Sequence, residues 1–318
     1  MSPGLKLIFI VGPTGVGKTD VALSLASRLD AEIVSADSMQ VYRYMDIGTA
    51  KPTPAQRRQR PHHLLDVVDP DADFNAALFR QHAMAAIDGI RARGRSVLVA
   101  GGTGLYVKAL TRGLFAGPAR DPGLRADLER TVAERGPEPL FERLRRVDPD
   151  AAERVHPHDR VRIVRALEVF EATGKPLSRW QREHGFGDRP FDVLGVGLDR
   201  PRSELYERID RRCRRMMETG LLEEVRGLLD RGYGPDLRSM QSVGYRQAAE
   251  CFMDRLTQAD ALASMQQATR RLAKRQLTWF RAQPALRWLH PDRGDAIAEL
   301  CRGFLASRPG SAVDWTGV

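Results

Sequence analysis

The chain contains few cysteines and no long apolar run. Its three cysteines, Cys213, Cys251 and Cys301, are separated by 38 and 50 residues, and this spacing matches no zinc-binding pattern. Three cysteines cannot all pair, so a disulfide scaffold is excluded, and a reducing, cytoplasmic location is the simplest expectation. No apolar stretch approaches the roughly 18 residues of a membrane span, so we expect no membrane association.

Lysine is also scarce, since 44 of the 50 basic residues are arginine. With 41 acidic residues the formal net charge is +9. The basic excess is concentrated in residues 201–290, which carry 17 basic and 11 acidic side chains. A basic surface in this region suits a polyanion such as nucleic acid. The arginine preference also fits a bias in genome composition, so charge alone leaves both interpretations open.

The order of apolar patterns predicts an α/β fold. Residues 5–11, 31–35 and 97–100 read as buried strands, and residues 18–29 and 74–90 have helical spacing. Strands that alternate with helices indicate a P-loop-type parallel sheet flanked by helices.

From about residue 121 the sequence pattern changes to a series of charged helical segments, and a strand pattern returns at 191–198. We therefore predict a core domain formed by residues 1–119 and 191–306. A helical insertion domain is expected over 120–190, and a flexible tail over 307–318.

A glycine-rich motif follows the first predicted strand directly. It consists of Gly12, Pro13, Thr14, Gly15, Val16, Gly17, Lys18 and Thr19, which matches G-x-x-x-x-G-K-T. Glycines let the backbone wrap around an anion, and the helix N-terminus then holds phosphate oxygens of a diphosphate or nucleotide. Lys18 adds a positive charge, and the Thr19 hydroxyl is the predicted Mg²⁺ ligand.

This motif indicates a phosphate chain but not a reaction. A nucleotide-dependent kinase is the default interpretation. However, the strand at 97–100 ends in Gly-Gly-Thr-Gly rather than in the aspartate of a kinase metal site. The strand at 31–35 leads into Asp37, where Ser-Met-Gln-Val-Tyr follows, and this carries more recognition groups than a metal-ligand loop needs.

Taken together, the motifs resemble the bacterial tRNA dimethylallyltransferase (tRNA isopentenyltransferase) family. The matching blocks are residues 12–19, 37–42, 45–52, 61–64, 101–106, 165–169, 244–247 and 274–281. They follow the family order over nearly the whole chain. Departures are small: Tyr44 stands where the family often has glycine, and Gly15-Val16 replaces a common Ala-Ser.

The resemblance implies transfer of a dimethylallyl group from dimethylallyl diphosphate to the N6 amine of the adenosine 3′-adjacent to the anticodon in tRNA. The phosphate loop would then hold diphosphate as a leaving group, with Mg²⁺ as cofactor. Because an adenine amine is a weak nucleophile, a base is needed, and we expect it to be Asp37. A turn or capping role for this aspartate remains the alternative.

Two further catalytic residues follow from the resemblance. Thr103 corresponds to a family residue that contacts the adenosine or the diphosphate. Arg212 falls at the position of a diphosphate-binding arginine, although Arg211 and Arg215 on the same segment are open alternatives.

The resemblance also predicts the tRNA-binding residues. They are Asp37, Ser38, Met39, Gln40, Thr103, Arg162, Arg165, Gln241, Gly244, Tyr245, Arg246, Lys274, Arg275 and Gln276. Some of these residues have alternative interpretations. Arg165 can pair with Glu168 or Glu171, and Tyr245 can stack on a base or pack internally. The basic face of the helix at 262–281 can simply be exposed to solvent. His62-His63 lies in a family block, but its chemistry is unassigned.

Three rival functions remain. Prenylation of free adenine nucleotides shares the chemistry, a P-loop small-molecule kinase shares the loop, and an RNA-binding protein without catalysis shares the basic helices. The first is disfavoured by the helical insertion, the second by the strand ends, and the third by intact Lys18, Thr19, Asp37 and Thr103. We expect a monomer that works with tRNA and dimethylallyl diphosphate.

Overall fold

The computed structural model describes residues 5–115, 117, 118 and 121–308. A six-stranded sheet organises most of them, and its strands are β1 Lys6–Val11, β2 Ala31–Ser35, β3 His62–His63, β4 Ser96–Gly101, β5 Asp192–Leu198 and β6 Arg287–Leu289. All neighbours pair in parallel, in the order β3-β2-β4-β1-β5-β6. The predicted α/β class is therefore confirmed.

The central strands are buried because helices cover both faces of a parallel sheet, which favours continuous apolar runs over alternating ones. In β1, Leu7, Ile8, Phe9, Ile10 and Val11 are all fully buried. The two edge strands, β3 and β6, are short and more polar, and the sequence patterns did not predict them.

The helices, in chain order, are α1 Lys18–Arg28, α2 Pro54–Gln59, α3 Ala76–Ala92, α4 Gly104–Arg112, α5 Pro122–Arg135, α6 Glu138–Val147, α7 Pro149–Ala152, α8 Arg160–Thr173, α9 Leu177–His184, α10 Arg202–Glu218, α11 Leu221–Asp230, α12 Tyr245–Phe252, α13 Gln258–Arg281 and α14 Gly294–Ala306. None of those in the described part of the chain combines the length and apolarity that a membrane span requires.

The chain divides into two compact units. The first comprises Met1–Thr111 and Arg189–Val318 and contains the sheet; the second is Arg112–Asp188. The sequence places the corresponding insertion at 120–190, and residues 119 and 120 lie outside the described residues. The second unit has its own core, in which α5, α6 and α8 pack Leu128, Leu144 and Leu167 together.

The last described residues are attached to the sheet. Lys6 at the start of β1 donates hydrogen bonds to the carbonyl oxygens of Phe304 and Leu305, at 2.8 and 3.0 Å, and also contacts Ser307. Ser307, the first residue of the predicted flexible tail, is thus held in place. The rest of that prediction, from residue 309 onward, lies outside the described residues.

Candidate active site

The loop between β1 and α1 is shaped to hold an anion. Gly12 has a φ of 148°, and a Cβ there would lie 2.7 Å from the carbonyl oxygen of Leu198. Gly17 has a φ of 106° directly before Lys18 opens the helix. A side chain would strain either position. The backbone can therefore curl over the N-terminus of α1, where free N–H groups and the helix dipole favour phosphate.

The other residues of the loop either pack into the core or line a cavity. Val16 is fully buried and packs into the core, while the carbonyl oxygen of Pro13 accepts a hydrogen bond from Lys18. The residues of the loop that line a cavity are Thr14, Gly15, Gly17, Lys18 and Thr19.

Lys18 lies at the centre of the site. Its ammonium donates to the carbonyl oxygens of Gly12 and Pro13, at 3.0 and 2.8 Å. Burial lowers the pKa of Lys18 to about 8, the negative charge of Asp37 opposes that shift, and the positive charge of Arg212 adds to it. The three side chains predicted to act on the diphosphate and the amine are thus electrostatically coupled.

The loops after β2 and β4 meet beside the phosphate loop. The backbone amide of Thr103 donates to the carbonyl oxygen of Ala36 at 3.2 Å, and the Thr103 hydroxyl accepts from the amide of Ser38 at 3.1 Å. These strands are neighbours, so their carboxyl ends reach the same edge of the sheet. The structure brings the predicted pair Asp37 and Thr103 together there.

Asp37 forms a turn through one carboxylate oxygen, while its other oxygen accepts no hydrogen bond from a described residue. Its Oδ1 accepts hydrogen bonds from the amides of Met39 and Gln40, at 2.9 and 3.4 Å. No described residue donates a hydrogen bond to Oδ2, and the side chain lines the cavity. The two readings of this aspartate are therefore compatible, because one oxygen makes the turn and the other remains available as a base.

Among the arginines of α10, Arg212 faces inward. It is half-buried, whereas Arg211 and Arg215 are exposed. Burial lowers the pKa of Arg212, and the negative charge of Asp37 opposes this. All three line the cavity, but Arg211 is paired with Glu207 on its own helix. Of these three arginines, Arg212 is therefore the one favoured as the diphosphate-binding residue, because it is the least exposed and its positive charge acts on Lys18.

These groups open onto one cavity of about 410 Å³. Its polar lining includes the phosphate loop, Asp37 and the arginines of α10. Its apolar lining consists of Met39, Ala50, Cys213, Met216, Val243, Met265 and Leu272. The cavity thus combines a site for a charged phosphate chain with a wall suited to hydrocarbon.

Two of the three predicted glutamine contacts, Gln40 and Gln276, make hydrogen bonds within the protein at the active-site cavity. Gln276 accepts from the amide of Thr14 at 2.8 Å and donates to the carbonyl oxygen of Gly102 at 3.0 Å. The Gln40 amide accepts from Ser35 and donates to Thr49 and Ala50. The side chain of Gln276 therefore connects the phosphate loop with the loop after β4, which the sequence reading as a tRNA contact did not anticipate.

Tyr245, one of the predicted RNA contacts, is packed inside the protein. Tyr245 and Arg246 open helix α12. Tyr245 is fully buried, and its hydroxyl donates to Glu224 at 2.5 Å. This burial agrees with the packing alternative for Tyr245, which also lines the cavity. Gly244, the residue that precedes α12, is also buried.

The remaining predicted RNA contacts in the first unit differ in exposure. Gln241, Arg246, Lys274 and Arg275 are exposed, and Ser38 and Met39 are half-buried, with Met39 lining the cavity. Gln241 donates to the carbonyl oxygen of Pro235 at 2.8 Å.

In the second unit, the two predicted arginines both lie on α8 but differ in their surroundings. Arg162 is exposed at 70% and pairs with Asp159 at 3.4 Å. Arg165 pairs at 3.0 Å with Glu168, which is fully buried, and also donates to the carbonyl oxygen of Pro118 at 3.2 Å. Arg165 thus neutralises a buried carboxylate, as its alternative reading held, and Arg162 is the more accessible cation.

Sequence reasoning missed Glu224 and Arg208. Glu224 accepts hydrogen bonds from the amides of Asp46, Ile47 and Gly48, at 2.8–3.3 Å, and so fixes a cavity-lining turn. Arg208 donates to the carbonyl oxygen of Gly15 at 3.1 Å. Arg208 stands in an arginine-rich helix and could have been singled out by its spacing from Arg212; no local signal marks Glu224.

The unassigned histidines form strand β3. His63 contacts the Glu32 carboxylate at 2.7 Å, and His62 contacts the carbonyl oxygen of Arg60 at 2.9 Å. Their position at the sheet edge and their partners give them a structural role.

The residues present suit a magnesium ion that is held largely by its substrate. No cluster of three or more His, Cys, Asp or Glu side chains arranged for a metal occurs within the described residues. The Thr19 hydroxyl has no hydrogen-bond partner among them and lines the cavity beside Asp37. One or two hard oxygens plus phosphate oxygens is the donor set Mg²⁺ accepts, because it retains several waters.

A phosphate loop after the central strand of a parallel sheet, with lysine, arginine and aspartate around one cavity, defines a P-loop α/β protein. The chain belongs to the IPP transferase family, whose model matches residues 40–283.

Curated relatives and solved structures agree with this assignment. The chain is 50% identical over 302 residues to tRNA dimethylallyltransferase 2 of Geotalea uraniireducens, covering 93% of this chain and 95% of the relative. It is 52% identical to tRNA dimethylallyltransferase of Syntrophobacter fumaroxidans, covering 94% and 87%.

Two solved structures resemble the whole fold. The full-length tRNA isopentenylpyrophosphate transferase of Bacillus halodurans has a TM-score of 0.70 and 39% identity, covering 94% of this chain and 96% of that one. A eukaryotic dimethylallyltransferase acting on tRNA has a TM-score of 0.81 and 28% identity, covering 96% and 81%.

Proposed function

We propose that the protein transfers a dimethylallyl group from dimethylallyl diphosphate to the N6 amine of the adenosine 3′-adjacent to the anticodon in tRNA. The observation that carries the proposal is that Lys18, Arg212 and Asp37 share one cavity with an apolar wall. A kinase site would have no need for that wall. The names of the relatives, which are tRNA dimethylallyltransferases, support the same reaction.

The chemistry assigns each group a task. The N6 lone pair attacks C1 of the dimethylallyl group while the bond from C1 to the diphosphate oxygen breaks. Diphosphate leaves with that electron pair, and Lys18, Arg212 and the loop amides stabilise its developing negative charge. The Oδ2 of Asp37 takes the proton from N6, which makes the amine a competent nucleophile and contributes typically about 10²–10⁴-fold. The products are N6-dimethylallyladenosine in tRNA and diphosphate.

Thr103 and Thr19 complete the arrangement. The Thr103 hydroxyl, held by Ser38 at the strand ends, lies beside Asp37 and is suited to orient the acceptor. Mg²⁺, bound by the Thr19 hydroxyl and phosphate oxygens, would neutralise charge on the leaving group.

Transfer of radiolabelled dimethylallyl to an unmodified tRNA transcript, with Mg²⁺ present, tests the proposal. AMP and ATP serve as parallel acceptors. Label confined to N6 of the adenosine next to the anticodon supports the proposal. Label on AMP would assign nucleotide prenylation, and ATP turnover without transfer would assign a kinase.

A further inference from the structure

A second cavity, separate from the active site, lies between α10 and α13. Its volume is about 550 Å³, and the side chains that matter to its chemistry are Arg202, Tyr206, Gln267, Arg270, Arg271 and Lys274. Four of these are cations, and no carboxylate lines this groove. The groove therefore favours an anionic ligand.

The cations of this α10–α13 groove are largely uncompensated. Arg202, Arg271 and Lys274 are exposed, and none forms an ion pair with a described residue. Arg270 pairs with Asp210 at 3.3 Å. Like charges gathered on one surface repel each other and disfavour the compact state. A bound polyanion would remove this repulsion.

The one aromatic residue of the groove is already covered by cations. The guanidinium of Arg202 lies 5.0 Å from the Tyr206 ring centroid, and that of Arg270 lies 5.9 Å from it. Such contacts orient arginines over an aromatic face. The ring thus serves to position guanidinium groups rather than to stack on a base, so the groove is suited to phosphates and not to base recognition.

Two of the cations follow one another along α13. Arg270 and Lys274 are one turn apart on α13, which is about 6 Å along the helix axis. A single phosphate group is held by donors that converge on it, as the amides around Lys18 do. Charges spaced along a helix instead match a chain of phosphates.

We propose that the α10–α13 groove binds backbone phosphates of the tRNA substrate, without regard to base sequence. The identity of the RNA rests on the proposed function, while the preference for a phosphate chain rests on the groove itself. The groove would add Arg202, Arg270 and Arg271 to the RNA-binding surface and explain why Lys274 faces away from the active-site cavity.

Binding measured without catalysis provides the test. The variant R202A/R271A is compared with the matched variant R255A/R302A, which removes two exposed arginines outside the groove. Fluorescence anisotropy reports the Kd for an unmodified tRNA transcript across a salt series. We expect R202A/R271A to raise the Kd roughly tenfold and to reduce the steepness of log Kd against log salt by roughly 1 to 2. The matched variant should stay near wild type.

Kinetics separate the groove from the diphosphate site. In R202A/R271A the KM for tRNA should rise while the KM for dimethylallyl diphosphate is unchanged. The variant R271K, which keeps a positive charge at position 271, should bind tRNA as wild type does. Equal losses in both double variants, or a raised KM for the diphosphate with unchanged tRNA binding, would overturn the proposal. If wild type binds tRNA through the groove but transfers nothing, the proposed function fails and the groove stands.

Discussion

The side chain of Gln276 accepts a hydrogen bond from the backbone amide of Thr14 at 2.8 Å, although the two residues are 262 positions apart. The same side chain donates to Gly102 at 3.0 Å. Helix α13 therefore sets the position of the phosphate loop relative to the loop that carries Thr103.

Gln276→Ala should impair handling of the diphosphate rather than of tRNA. We expect kcat/KM for dimethylallyl diphosphate to fall roughly tenfold, since two hydrogen bonds of about 0.5–1.5 kcal/mol each are lost. The Kd for tRNA should be unchanged. Steady-state kinetics and a binding titration measure the two effects, with Thr278→Ala, an exposed position on the same helix, as control. Weaker tRNA binding with normal diphosphate kinetics would return Gln276 to the RNA surface.

Asp37→Asn separates the two roles of this aspartate. The asparagine Oδ1 can still accept from Met39 and Gln40, so the turn is kept while the base is lost. Single-turnover transfer should slow by about 10²–10⁴-fold, with the Kd for tRNA unchanged. Asp37→Ala, which also loses the turn, serves for comparison. Transfer at the wild-type rate in the asparagine variant would exclude Asp37 as the base.

The reaction should depend on pH through Lys18. Burial lowers the pKa of this ammonium to about 8, so the free enzyme loses the positive charge as pH rises through that value. We expect kcat/KM for dimethylallyl diphosphate to decline above about pH 8. Lys18→Arg, which keeps its charge, should move that decline to higher pH even if its rate is lower. A profile that stays flat well above pH 8 in wild type would contradict this assignment.

Local patterns in the sequence were sufficient for the parts of the fold that are locally determined. β2 begins and ends where its pattern indicates, and α5 and α8 lie in the predicted stretch of charged helical segments, because apolar spacing and capping residues such as Asp121 and Asp159 act within a few positions. β3 and β6 escaped prediction because two or three residues at a sheet edge carry no periodicity.

The candidate site, like the fold, could be predicted from the sequence only in part. The phosphate loop and the strand ends at Asp37 and Thr103 could be predicted, since the carboxyl ends of parallel strands gather at one edge. The burial of Tyr245, its bond to Glu224 and the bridge made by Gln276 could not, because each depends on contacts between distant segments. A family block marks such residues without telling whether they touch RNA or hold the protein together.

Glu32 should make the fold sensitive to acid. Hydrogen bonds from the Arg93 guanidinium, at 3.0 and 2.7 Å, and the contact with His63 lower the pKa of this buried carboxyl from 4.5 to about 2. A lowered pKa in the folded state means that the carboxylate stabilises the protein above pH 4.5 and that this contribution is lost as pH falls toward 2. Urea unfolding at a series of pH values should show a shallower acid decline in Glu32→Gln, from a lower starting stability, than in wild type or in the exposed control Glu299→Gln. An unaltered decline would argue against this linkage.

The apolar end of the active-site cavity should set the length of the alkyl chain. Gln276, Leu272, Thr269 and Met265 line the cavity from successive turns of α13, so the lining changes from polar at the phosphate loop to apolar at Met265. This methionine is buried, and its sulfur lies 3.4 Å from where a Cβ on Gly244 would stand, which indicates a closed end.

Met265→Ala should therefore admit a ten-carbon chain. The ratio of kcat/KM for geranyl diphosphate to that for dimethylallyl diphosphate is expected to rise roughly tenfold or more, since even one extra methylene is worth about 1–3 kcal/mol against a close-fitting pocket. Met240→Ala, a fully buried methionine that does not line the cavity, controls for loss of stability alone. Both variants lose the same side chain, so a rise in this kcat/KM ratio confined to Met265→Ala would identify Met265 as the residue that limits chain length. Equal ratios in the two variants would place that limit elsewhere in the cavity.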